Sequence, residues 1–293
     1  MRPPLLLLVI LGLLTGLSSA CSRDEKTGDR RVRSNPLADD ERQAKRLDRR
    51  ISQLTVEELY ASAREALDSG DAAGALELYD DVEARFPFTP YATQAQLDSI
   101  YAQYRLQQSE LALSAANRFM KQHPQHARID YVQYLKGLVN FGRSADEFDR
   151  LLRIDGNHRD PGYARAAFED FSLLIKRFPD SRYAQDARRR MIWLRNGLAR
   201  NELYVVEFYT RRGAAVAASR RSQYIIEHFQ GTDSVPVALD LMQQNYTQLG
   251  LAEQADEAKR VLDANYPDYV RGSGSKGLPY IGWFEDPIAR MLD

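Results

Sequence analysis

The chain has 293 residues, and 44% of them are hydrophobic. Its formal net charge is −1, so it lacks the basic excess of a nucleic-acid-binding protein, and we do not expect nucleic acid as a partner. It contains one cysteine, which excludes an internal disulfide.

The first 20 residues have the organisation of an export signal. Arg2 precedes an apolar run over residues 5–14, and small residues lead into Cys21, the single cysteine. This run is shorter than the roughly 20 apolar residues of a membrane-spanning helix. Two forms of the mature protein remain open. Cys21 follows a small-residue cleavage site, as in the lipobox of bacterial lipoproteins, and would carry the lipid; the alternative is a soluble periplasmic protein cut by the ordinary peptidase.

A charged segment, residues 21–54, follows the signal. Residues 22–50 hold ten Lys or Arg, seven Asp or Glu and no aromatic residue. Such a segment cannot bury enough apolar surface to offset the entropy lost on ordering, so we expect a flexible tether. Its second half, residues 37–51, could form a charged helix.

A helical repeat is indicated by prolines that follow an aromatic residue or a histidine. Twelve residues before each repeat end there is an alanine, and seventeen residues before three of the ends there is a glycine. The ends are Pro87, Pro124, Pro179, Gln230 and Pro267; the alanines are Ala75, Ala112, Ala167, Ala218 and Ala255; the glycines are Gly70, Gly213 and Gly250.

This spacing is typical of the 34-residue tetratricopeptide unit, two helices joined by a turn. One such pair cannot bury its apolar face alone, so neighbouring pairs must stack. We therefore predict an all-α chain with a right-handed solenoid of about five tetratricopeptide-like repeats over residues 55–269. Thr55 followed by Glu57 and Glu58 predicts the first helix start. The third repeat is interrupted by about 20 extra residues near positions 142–162.

The C-terminal tail, residues 270–293, consists of a Gly/Ser linker at 272–277 and an apolar segment that includes Trp283 and Phe284. That much apolar surface must dock somewhere. Two predictions remain open: the tail caps the fifth repeat, or it is a recognition motif for another protein, with Glu285 and Asp286 at its rim.

Motifs for chemistry are weak throughout. The four histidines lack carboxylate or cysteine partners at metal-ligand spacing, and are expected to be polar turn residues: His123, His126, His158 and His228. A GxGxxG string at 272–277 follows a helix and leads to Pro279, which does not fit a dinucleotide site. We expect no enzyme, no metal and no cofactor.

Binding surfaces are better supported. Phe88, Tyr91 and Tyr104 cluster near the first repeat ends, where aromatic residues either pack the core or line a groove for an extended peptide. Arginines flank the small-residue helix at 214–218, where a guanidinium could meet a partner's carboxylate in bidentate fashion.

Three strings carry a family resemblance beyond the repeats: Arg85-Phe-Pro-Phe-Thr-Pro-Tyr91, Arg159-Asp-Pro-Gly-Tyr-Ala-Arg-Ala-Ala-Phe168 and Tyr209-Thr-Arg-Arg-Gly-Ala214. Together with the lipobox and the interrupted third repeat, they resemble the BamD family, lipoproteins of the β-barrel assembly machine. The resemblance covers about residues 55–268.

The resemblance implies a non-catalytic scaffold, lipid-anchored to the periplasmic face of the outer membrane, that helps assemble β-barrel proteins. It implies binding to a POTRA domain of the barrel subunit BamA, with Arg212 and Arg221 on the BamA-facing surface. Other Bam lipoproteins and unfolded outer membrane proteins are the further implied partners. The alternative is a tetratricopeptide adaptor lipoprotein of another envelope complex, in cell division or peptidoglycan synthesis.

Replacing Cys21 with Ala should leave the precursor unprocessed or release the protein from membranes. The acyl chains of a mature lipoprotein contribute about 0.8 kcal/mol per buried CH₂, and the variant would lose them. Membrane fractionation in cells depleted of BamA measures the effect. If the variant still fractionates with the outer membrane there, the lipid anchor is wrong.

Overall fold

A computed structural model of the chain describes residues 51–153 and 161–271. The predictions for Cys21, the signal, most of the tether, His158 and the tail beyond residue 271 lie outside the described residues.

The described residues contain ten α-helices and no β-strand. The helices are α1 Val56–Asp68, α2 Ala72–Arg85, α3 Pro90–Arg105, α4 Ser109–Gln122, α5 Ile129–Arg153, α6 Gly162–Arg177, α7 Ala184–Arg211, α8 Ala215–His228, α9 Ser234–Gln248 and α10 Ala252–Asn265. Consecutive helices pack together, and each odd-numbered helix also contacts the next odd-numbered helix. The predicted all-α fold of five stacked helix pairs is confirmed.

The repeat register is confirmed by the alanines. All five lie in the even-numbered helices with at most 5% of their surface exposed: Ala75, Ala112, Ala167, Ala218 and Ala255. A small side chain at this position lets the two helices of a pair approach closely, and a larger one would have to displace its neighbours.

The turns between paired helices repeat as well. Gly70, Gly213 and Gly250 have φ of 95°, 72° and 72°, the left-handed conformation that glycine adopts without strain. In each turn the residue after the glycine donates its N–H to a carbonyl in the last turn of the preceding helix, as Asp71 does to Ala66 at 2.8 Å.

In the second repeat Gln107 occupies this turn position, seventeen residues before Pro124. Its φ is 58°, the one positive value at a non-glycine residue in the described ranges. The next residue, Gln108, donates its N–H to Gln103 at 2.9 Å, so the turn keeps its form and Gln107 carries the strain.

Helix α1 begins as predicted. The Thr55 hydroxyl accepts from the Glu58 N–H at 3.3 Å, and the Thr55 N–H donates to the Glu58 carboxylate at 2.9 Å. This capping box satisfies two donors at the helix start and fixes the entry of the chain into the first repeat.

The third helix pair forms despite the extra residues. Helix α5 continues through Gly142 to Arg153, so the first half of the predicted interruption is helical. A glycine within a helix costs only about 1 kcal/mol, which packing overrides here. Gly137 faces Phe171 of α6, and a Cβ at Gly137 would lie 2.4 Å from the ring. Close approach at this point holds α5 and α6 together.

A Tyr–Asp–Arg cluster links odd-numbered helices at two joints. At the first, Tyr60 of α1 donates its hydroxyl to Asp98 of α3 at 2.6 Å, and Arg64 lies 3.7 Å from the same carboxylate. At the second, Tyr134 of α5 donates to Asp186 of α7 at 2.6 Å, and Arg190 pairs with Asp186.

A third cluster of this kind closes the described end of the array. Tyr269 donates to Asp240 of α9 at 3.3 Å, and Arg271 lies 3.8 Å from it. Here the tyrosine and the arginine both come from the segment that follows α10. This segment contacts α9 through Asp240, as one odd-numbered helix contacts another in the first two clusters.

Gln107→Gly should stabilise the protein by about 1 kcal/mol, because glycine relieves a left-handed strain of about 1–2 kcal/mol and offsets part of that gain by its own entropy. Urea unfolding monitored by circular dichroism measures this. Gln107→Ala is the matched control, since it removes the side chain but keeps the strain. Equal stability of the two variants would contradict the strain at this turn.

Candidate peptide-binding and partner-binding surfaces

The predicted groove residues lie around helix α3. Phe88 is fully exposed in the turn before the helix. Tyr91 is half-buried in the first turn, and its ring centroid lies 5.5 Å from that of Tyr60. Tyr104 is half-buried in the last turn and stacks on Tyr101 at 6.2 Å.

Tyr104 does not join the other two. Thirteen residues along an α-helix correspond to roughly 20 Å and to roughly 140° of rotation, so Tyr91 and Tyr104 lie at opposite ends of α3 and on different faces. Tyr91 is instead accompanied by Tyr60, which sequence reasoning missed. The i,i+4 spacing of Tyr60 and Arg64, both of which contact Asp98, was the available signal.

The hydroxyl of Tyr60 contacts a buried carboxylate. Asp98 is 4% exposed and accepts hydrogen bonds from Tyr60 and from Gln94, the latter at 2.9 Å. Burial raises the pKa of Asp98, and the bonds from Tyr60 and the charge of Arg64 oppose that rise only in part. Burial also raises the pKa of Tyr60, with the Asp98 charge adding to it, so Tyr60 stays a hydrogen-bond donor.

The predicted groove remains a prediction, and the described residues give it two tyrosine rings, Tyr60 and Tyr91, in contact with each other. Two half-buried tyrosine rings offer apolar faces held in place by Asp98 and by each other, so little rotamer entropy is lost when they receive a ligand side chain.

A second surface lies where α7 ends, α8 begins and α9 ends. It surrounds a cavity of about 710 Å³. We call this cavity the α8 pocket. Its lining residues are Tyr209, Gly213, Ala214, Ala215, Val216, Ala217, Arg220, Arg221, Tyr224 and Leu249. Its floor is apolar, and Val216, Tyr224 and Leu249 are 52%, 39% and 39% exposed.

Arginines surround the α8 pocket. Arg221 of α8 is 47% exposed and donates through Nη1 to Glu202 of α7 at 2.9 Å. Arg220 lines the pocket beside it and is exposed. Arg212 adjoins the pocket lining at Gly213, and its guanidinium lies 4.5 Å from the ring of Phe208. Glu202, which sequence reasoning also missed, orients Arg221 while leaving its other donors available.

The described histidines lie at repeat ends, as predicted. His123 and His126 contact the ring of Phe119 at 4.9 and 5.2 Å, and His228 stacks on Tyr224 at 4.2 Å. In the described ranges, no three His, Cys, Asp or Glu side chains are grouped so that they could hold a metal ion. None of the described helices is long and apolar enough to cross a membrane.

Residues 52–261 match the model of the YfiO family, described as an outer membrane lipoprotein. The chain belongs to this family. The match includes both surfaces and ends before the tail.

Curated relatives in the YfiO family bear the name outer membrane protein assembly factor BamD. The one from Neisseria meningitidis serogroup A is 41% identical over 213 residues, which are 73% of this chain and 80% of the relative. The one from Vibrio cholerae is 37% identical over 71% of this chain and 86% of the relative. The resemblance to the BamD family is thus confirmed.

Solved structures similar to this YfiO family member include a tetratricopeptide repeat protein from Parabacteroides merdae. It is 13% identical, with 81% of this chain and 96% of that chain covered at a TM-score of 0.28. At that score the likeness adds nothing to the fold, which is established by the helix pairs themselves.

Proposed function

We propose that this YfiO family member is an outer membrane protein assembly factor that acts as a non-catalytic scaffold. The observation that carries the proposal is the identity of 41% with a BamD protein over 80% of that relative's length. Two well-separated surfaces on one array of repeats support it, because a scaffold must hold two partners at once. No feature favours the alternative adaptor of another envelope complex.

The proposed anchor is a lipid on Cys21, after removal of residues 1–20, on the periplasmic face of the outer membrane. The charged segment 21–54 would tether the repeats of residues 55–269 to it, with residues 270–293 as a separate tail. The family description as an outer membrane lipoprotein supports this organisation.

The proposed partner of the α8 pocket is a POTRA domain of BamA, with other Bam lipoproteins as further partners of the scaffold. Glu202 holds Arg221 through one nitrogen, so the guanidinium is pre-oriented and can still donate to a carboxylate on the partner. Val216, Tyr224 and Leu249 supply apolar contact around it, and a charged pair surrounded by such contacts is desolvated on binding.

Reversing the charge at Arg221, or at Arg212, should weaken binding to the periplasmic domain of BamA. Losing one member of a buried, hydrogen-bonded pair costs about 2–5 kcal/mol, whereas an exposed arginine contributes almost nothing. Isothermal titration of the two purified proteins measures the affinity, and circular dichroism checks that helicity is kept.

Two further variants sharpen the test. Arg221→Glu places a second acid beside Glu202, so Arg221→Gln should weaken binding without that repulsion. Arg188→Glu is the matched control, because Arg188 is an exposed arginine of α7 far from the α8 pocket. Unchanged affinity in the Arg221 and Arg212 variants would move the interface elsewhere.

The proposed ligand of the N-terminal groove is an extended segment of an unfolded outer membrane protein. Tyr91 and Tyr60 would receive an aromatic side chain, with the exposed Phe88 at the edge. Tyr104 would contact a different part of the same segment, which would have to cross α3 diagonally. Because Tyr91 and Tyr104 are roughly 20 Å apart along the axis and on different faces, an extended peptide needs at least about six residues to reach both.

A photo-crosslinking residue at Tyr91 should capture a peptide that ends in the aromatic residue typical of outer membrane barrels. A crosslinker at Tyr104 should react at least about six residues upstream. Truncation of Tyr60 should weaken binding by about 1–3 kcal/mol. Mass spectrometry of the adducts identifies both positions.

Leu111, an exposed residue of α4 outside the groove, is the control position for the crosslinker. If a scrambled peptide crosslinks equally well at Tyr91, the aromatic residues of the predicted groove do not recognise a peptide and only pack the core.

A further inference from the structure

The α8 pocket combines two features that a ligand must match. Its floor is formed by small and apolar side chains, and its rim carries Arg220 and Arg221. Arg220 has no carboxylate partner within the part of the chain that the structure describes, and Arg221 pairs with Glu202 through one nitrogen only. A ligand with an aromatic group followed by acids would satisfy floor and rim together.

The chain itself contains such a segment. In the tail, Trp283 and Phe284 are followed directly by Glu285 and Asp286. These four residues lie beyond the family match, which ends at residue 261. The tail therefore offers aromatic and acidic groups that complement the apolar floor and the arginine rim of the α8 pocket.

The described structure shows where the tail starts. Arg271 pairs with Asp240 at 3.8 Å and donates to Gln243 at 2.5 Å, which fixes the start of the tail on helix α9. Leu249, at the end of the same helix, lines the α8 pocket. From Gln243 to Leu249 is about 9 Å along the axis, and the helix is about 10–12 Å across.

The tail is long enough for that distance. Trp283 is twelve residues beyond Arg271, a length that extends to about 40 Å, and the Gly/Ser linker at 272–277 imposes no fixed direction. The chain length therefore allows Trp283 to reach the α8 pocket of its own chain.

We propose that the tail docks in cis on the α8 pocket, with Trp283 and Phe284 on the apolar floor and Glu285 and Asp286 at Arg220 and Arg221. The tail is then an internal competitor for the surface that, on the proposed function, receives BamA. A partner would have to compete with the tail for this surface.

The expected occupancy of the α8 pocket by the tail follows from the Gly/Ser linker that joins the two. A short flexible linker gives an effective concentration of about 1 mM, so a contact with a Kd of about 0.1 mM would occupy the pocket about nine-tenths of the time. A partner would then bind about tenfold more weakly than to an open pocket.

A photo-crosslinking residue in place of Trp283, in the mature full-length chain, tests the docking without any partner. Mass spectrometry should place the crosslink within one chain, on Val216, Tyr224 or Leu249. Arg220→Glu should reduce the yield at least fivefold, and adding Glu285→Lys should restore it by exchanging the two charges. Arg188→Glu, remote on α7, should leave the yield unchanged.

Two other results would overturn the proposal. Crosslinks to the exposed side of α10 would show that the tail caps the fifth repeat. Crosslinks between two chains, with a yield that rises with protein concentration, would show that it binds a second copy.

Affinity for the periplasmic domain of BamA separates this inference from the proposed function. Deletion of residues 272–293 should tighten binding about tenfold. If deletion changes nothing while Arg221→Gln weakens binding, the interface is right and the internal competition is wrong. If Trp283 crosslinks to the α8 pocket while neither change alters affinity, the tail docks there and the proposed BamA interface is wrong.

Discussion

A buried aspartate shared by a tyrosine and an arginine joins the first repeat to the second and the third to the fourth, and it closes the described end of the array. Asp98, Asp186 and Asp240 are each at most 6% exposed. Loss of either partner would leave a buried carboxylate only partly compensated, and burying a charge without its full set of partners is costly. Since the partners of Asp98 and Asp186 include a residue of the preceding odd-numbered helix, these two clusters help to fix the register between the first and second repeats and between the third and fourth.

The features predicted correctly from sequence are those that each repeat must satisfy by itself. Ala75 and its four equivalents are buried because two helices of a pair meet there, and Gly70 takes the left-handed turn that joins them. Both constraints recur at fixed spacing, so the sequence reveals them without knowledge of the fold. Gln107 shows the limit of this reasoning, because the turn is kept even where the residue type that favours it is absent.

Contacts between repeats were not predictable in the same way. Tyr60 and Asp98 are 38 residues apart and Tyr134 and Asp186 are 52, so no single spacing connects tyrosine to aspartate. For the same reason Tyr60 was missed as a groove residue and Glu202 as the partner of Arg221. Tyr91 and Arg221, which the sequence proposes as site residues, contact these distant partners. The sequence could therefore propose Tyr91 and Arg221 but not the residues that orient them.

The cluster at Asp240 differs from the other two in where its tyrosine and arginine come from. Asp98 and Asp186 are satisfied by neighbouring helices, whereas Asp240 takes its tyrosine and arginine from the segment that leads into the tail. The contacts of Tyr269 and Arg271 with Asp240 therefore also fix where residues 272–293 begin. Because that point lies on the helix whose end lines the α8 pocket, the interaction that completes the fold also determines which surface the tail can reach.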